Sequence, residues 1–176
     1  MAIDRQKTET VHWHAVFTAS RAEKKVRDRL EELGVECFLP VQTVLRQWTY
    51  RKSRVVVPVI AGLVFVRVGR QEQVKVLQTK GVVAFLRLKG EAGAAVIPDK
   101  QMEDFRFLLD FSEEAVEMTN ENIKAGDLVR VVKGSLRGME GELIRHKGVT
   151  KVLVRIDMLG CAMVNIPVSF VEKLNK

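Results

Sequence analysis

The 176-residue sequence predicts an α+β sandwich, an antiparallel sheet with flanking helices, followed by a small all-β barrel. Helical periodicity is confined to the first part. After residue 123 there are only short strand-like runs separated by glycine-rich or polar turns. Charge marks the division: residues 1–112 carry a net +6, residues 113–122 a net −4 and residues 123–176 a net +5. The acidic, polar stretch EEAVEMTNEN therefore reads as an exposed linker over 113–122. It would join a domain over 11–112 to a barrel over 123–176, with residues 1–10 a disordered lead-in.

In the first domain, VHWHAVFT predicts a strand of β-branched and aromatic residues. Ser20 and Glu23 have the spacing of a capping box, so a helix should begin there. Ala22, Val26, Leu30 and Leu33 line one face of that helix, and Gly34 stops it. Strands are expected at 36–39, 41–48, 54–59, 63–68 and 82–88, and a short helix at 71–78. Pro98 and Asp99 open a last helix with Met102, Phe105, Leu108 and Leu109 on one side.

The second domain offers DLVRVV, GELIRH, KVLVRI and AMVNIP as strands. Gly134, Gly138 and Gly141 fall where a turn needs positive φ or a close backbone approach. VRVVKG and KVLVRID are dense in β-branched residues, which favours strands over helices.

The formal charge of +7 and the pI near 9.6 favour polyanionic partners. No apolar run approaches the roughly 18 residues needed to span a bilayer, and the N-terminus has no apolar signal core, so a cytoplasmic protein without a membrane partner is expected. Cys37 and Cys161 lack paired spacing and are expected as buried thiols. His12 and His14 could share a strand face, but a third ligand at metal spacing is missing, so no metal is expected. Nucleophile-elbow, P-loop and zincin motifs are absent, so neither enzymatic activity nor a cofactor is expected.

The clearest functional signal is a basic hairpin. No acid occurs between Glu36 and Glu72, whereas Arg46, Arg51, Lys52, Arg54, Arg67 and Arg70 all lie there. Surfaces ordinarily mix signs. Arg46, Arg51, Lys52 and Arg54 would contact phosphates, and Trp48 or Tyr50 would stack on an unpaired base. The competing reading is a solvated basic face with Trp48 packed inward.

The segment GDLVRVVKGSLRGMEGELIR, from Gly126 to Arg145, resembles a KOW motif, in which strand, glycine turn and strand form the first hairpin of an SH3-like barrel. It departs at Ser135, where proline is common, a change that alters turn stiffness more than topology. The rest resembles the NusG N-terminal domain: W-x-A-V at Trp13 to Val16, Glu23-Lys24-Lys25, FLP at Phe38 to Pro40, PVIAGLVFV at Pro58 to Val66, GVVAFLR at Gly81 to Arg87 and VIPDKQM at Val96 to Met102. Ala61 and Leu63 replace the usual proline and tyrosine of the family's PGY segment, while Gly62 is kept. RQWTYRKSR, Arg46 to Arg54, is similar to specialised paralogues that antiterminate long operons, often for surface polysaccharides.

The resemblance implies a monomeric transcription elongation factor that grips the clamp coiled coil of RNA polymerase in an apolar groove. Ile60, Leu63, Val83 and Phe85 are the groove candidates, although each is also a natural core residue. Non-template DNA is the expected partner of the basic hairpin. A small-subunit ribosomal protein, Rho or RNA would bind the KOW barrel. The alternatives are a general elongation and termination factor working with Rho, and an RNA-binding or ribosome-associated KOW protein.

Overall fold

The computed structural model describes residues 9–175, so residues 1–8 of the expected lead-in lie outside it. Glu9 is not loose: its carboxylate accepts the backbone N–H of Gln71 at 2.9 Å. The chain forms two compact units. One holds residues 9–39 and 62–96, the other 40–61 and 97–175.

The first unit contains β1 (His12–Thr18), α1 (Glu23–Glu32), β2 (Glu36–Phe38), β5 (Leu63–Val68), α2 (Glu72–Leu77) and β6 (Val82–Phe85). Its antiparallel sheet has the order β2-β5-β1-β6. Register places His14, Val16, Val64, Val66 and Cys37 on one face. α1 lies over that face, where the Cys37 thiol meets the Arg27 carbonyl at 3.7 Å and Val26 and Leu30 are buried. Trp13, Ala15, Leu63 and Phe65 on the other face are buried as well, which accounts for the continuous apolar run Leu63–Val66 of β5.

The stop of α1 follows from its sequence. Gly34 takes φ +74°, its N–H donates to the Glu31 carbonyl, and the Val35 N–H donates to the Leu30 carbonyl, the paired bonds of a Schellman motif. The start of the helix differs from expectation. Ala22 stands at the N-cap without a side-chain cap, and Glu23 reaches away to Gly62 instead of closing a capping box with Ser20. Leu33, expected on the buried stripe, is 42% exposed.

The second unit contains β3 (Val41–Trp48), β4 (Arg51–Pro58), α3 (Asp99–Phe111), β7 (Glu117–Thr119), β8 (Asp127–Val131), β9 (Glu140–His146), β10 (Val149–Ile156), β11 (Gly160–Asn165), a 3-10 turn at Val168–Phe170 and β12 (Val171–Lys173). β3 and β4 form a two-stranded ribbon. The other strands form a six-stranded antiparallel sheet ordered β12-β8-β9-β10-β11-β7. Ile144, Leu153, Cys161 and Met163 make a core cluster with Ile123 against it. α3 lies along β10, buries Met102, Phe105 and Leu108, and accepts the Asp157 N–H on the Gln101 side chain at 2.8 Å.

Two features differ from the organisation expected above. The ribbon and α3 group with the six-stranded sheet, although their sequence positions lie before residue 112. The acidic stretch is not wholly a connector, because Glu117–Thr119 pairs with β11 as an edge strand. Acidic side chains do not prevent this at a sheet edge, where they remain in water. Among the described residues, no helix is long and apolar enough to cross a membrane.

Candidate nucleic-acid and protein-binding surfaces

The ribbon places the basic residues. Its register pairs Trp48 with Arg51, Arg46 with Ser53, Gln47 with Lys52 and Leu45 with Arg54. Directly opposed residues share a face and neighbours alternate. Arg46, Trp48 and Arg51 therefore lie on one side, and Leu45, Gln47, Lys52 and Arg54 on the other. Residues 45–52 are all exposed, with Trp48 at 57% and Tyr50 at 98%, so the inward-packed alternative for Trp48 does not hold.

Among the described residues, none of Arg46, Arg51, Lys52 and Arg54 is ion-paired. The six-stranded sheet contrasts with this. There Arg130 pairs with Glu140 at 2.5 Å, Arg155 with Glu142 at 2.6 Å, Lys151 with Glu117 at 2.6 Å and Lys173 with Asp127 at 3.0 Å. The ribbon thus presents four cations that no acid among the described residues neutralises. Arg67 is not part of it, because it lies on β5 beside Glu36 at 3.5 Å.

The apolar candidates separate. Leu63 is 2% exposed and Phe85 is 4% exposed, so both are core residues and not an open groove lining. Val83 is 64% exposed on β6, next to the irregularity where the β1–β6 register shifts. Ile60 is half-buried in the other unit, at the end of the ribbon. Phe17, which sequence reasoning passed over, is 41% exposed and pairs with Ala84 beside Val83. Alternation could not single it out, because its strand is buried on both faces.

Gly134 and Gly138 take φ +80° and +92° in the turn between β8 and β9. Gly141 is extended, and a Cβ there would stand 2.9 Å from the Leu153 carbonyl oxygen, so close approach of β10 requires glycine. His14 donates its Nδ1–H to the Ala95 carbonyl, 2.7 Å away, and meets Phe85 edge-on. Burial lowers its pKa, and the Ala95 bond opposes that shift. His14 is therefore not available beside His12 as a ligand. Burial pushes the Cys37 thiol up to about 11 and raises that of Cys161. Among the described residues, no group of three or more His, Cys, Asp or Glu could hold a metal ion.

Residues 11–106 match the sequence profile of a family described as "Transcription termination factor nusG". No curated protein matches the chain. In three dimensions it is similar to NusG of Thermotoga maritima, with a TM-score of 0.50, 23% identity, and coverage of 94% of this chain and 98% of that one. A structure of the MjSpt4:Spt5 complex aligns with a TM-score of 0.31, 18% identity, and coverage of 93% and 97%.

Proposed function

The chain belongs to the NusG family of transcription factors, and from that premise we propose that it is an elongation factor that binds RNA polymerase and promotes processive antitermination of particular long operons, surface-polysaccharide clusters among them. The observation that carries the specialised reading is the acid-free ribbon, with an exposed Trp48 and cations that have no ion pair among the described residues. A factor confined to few operons needs a local nucleic-acid contact, and phosphate attraction plus base stacking supply one. The non-template strand exposed by the polymerase is the proposed ligand.

Polymerase contact is assigned to the first unit. Val83 and Phe17 offer exposed apolar surface above the Leu63 and Phe85 core, suited to the apolar side chains of the clamp's helical hairpin. The factor acts in the cytoplasm and mechanically, through higher affinity for the elongating state than for paused or terminating states. No covalent step is involved.

The six-stranded sheet is read as an SH3-like KOW module. The hairpin of β8 and β9 with its glycine turn supports this. A small-subunit ribosomal protein, Rho or RNA is its proposed partner.

The matching family is described as a termination factor, so the sign of regulation is what an experiment must fix. Purified chain added to elongating polymerase should raise readthrough at terminators both with and without Rho. Lower readthrough in the presence of Rho would favour the general factor.

A further inference from the structure

We propose that the acidic segment before the six-stranded sheet is a brace that holds the basic ribbon in its binding conformation, so that ribbon order depends on strand β7 staying on the edge of β11. A two-stranded hairpin alone is marginally stable in water. Among the described residues, β3 and β4 pair with no other strand, so their order needs support from elsewhere.

Gln42, at the base of the ribbon, provides that support. Its side-chain amide donates to the Val116 carbonyl at 3.2 Å, and its side-chain oxygen accepts the Val116 N–H at 2.9 Å. Val116 is buried, and β7 begins at the next residue. From there the segment is fastened to the sheet at three points. Glu117–Thr119 pairs with β11, Glu117 meets the nearly buried Lys151 at 2.6 Å, and the Glu114 carboxylate accepts the Asn165 side-chain N–H at 2.8 Å.

These contacts run without a break from the ribbon, through Val116, to β10 and β11. The acids that suggest a solvated linker by composition are the groups that fasten it. A ribbon held in this way binds without a further ordering cost, whereas a released ribbon must be ordered by its ligand. An event that lifts β7 from β11 would therefore weaken nucleic-acid capture without touching a ribbon cation.

Hydrogen exchange on the full chain tests this. Glu117→Lys sets a like charge against Lys151 and should free β7. Exchange should rise about tenfold or more at 117–119 and also within 41–45 and 55–58, with β8, β9 and β10 unchanged. Gln42→Ala cuts the other end, and should raise exchange in the ribbon while β7 stays protected. If Glu117→Lys disturbs the whole sheet, Gln42→Ala decides the matter alone. A ribbon that keeps its protection in Gln42→Ala, or stays protected when β7 is freed, overturns the brace.

A second readout rests on the nucleic-acid reading above. Gln42→Ala, which alters no charge, should bind a single-stranded DNA oligonucleotide more weakly with the salt slope unchanged, because every ribbon cation remains. If the native chain does not bind the oligonucleotide, the nucleic-acid reading falls, while the exchange result still decides the brace.

Discussion

The carboxylate of Glu23 accepts the backbone N–H of Gly62 at 2.7 Å and ties the first turn of α1 to the turn that leads into β5. Glu23 is 8% exposed, and the Gly62 carbonyl accepts the Thr18 N–H at 2.8 Å, so one residue links helix, turn and β1. Glu23→Ala should cost about 1.5–3 kcal/mol in urea unfolding, the range for a hydrogen bond to a charged group. Gly62→Ala should also destabilise, by about 1–2 kcal/mol, because φ is +72° there. Its new Cβ meets nothing closer than 3.9 Å, so the cost is conformational rather than steric.

Leu63 and Val83 should behave oppositely when made acidic. Leu63→Asp buries a charge with no partner and should unfold the first unit, a loss of at least about 3 kcal/mol seen as a lowered urea midpoint. Val83→Asp adds charge at an exposed position and should leave stability within about 0.5 kcal/mol. A folded Leu63→Asp protein would place that side chain on the surface after all.

The Arg155 guanidinium beside Glu142 holds its carboxyl below the ordinary range, burial opposes this, and the Gly126 N–H adds to it. A carboxyl depressed in the folded state binds fewer protons there than in the unfolded chain. Its stabilisation is therefore complete above the ordinary value of 4.5 and is lost as pH falls below it. Glu142→Gln should cost about 1–2 kcal/mol at pH 7 and flatten the acid limb of stability against pH. An acid limb as steep as in the native chain would contradict this role.

Much of the fold is legible in the sequence, and the exceptions have physical causes. The end of α1 can be read from Leu30, Gly34 and Val35 because a Schellman motif is local. Its start cannot, because Glu23 is claimed by Gly62, 39 residues away. β3 and β5 match their expected spans, whereas the three-residue edge strands β7 and β12 are too short for periodicity to register. On the candidate site, the acid-free hairpin is legible in the sequence, whereas the exposure of Trp48 is not, because an aromatic side chain suits a buried or a solvent-facing position on such a strand. Leu63 and Val83 cannot be told apart by pattern, since the first unit's sheet is buried on both faces and alternation carries no signal there.

Polymerase binding can be read from co-purification of the tagged 176-residue chain with purified core RNA polymerase. A stoichiometric complex is predicted, lost or strongly weakened by Val83→Asp while that variant stays folded. A folded native chain that forms no complex with polymerase would rule out the proposed elongation-factor role.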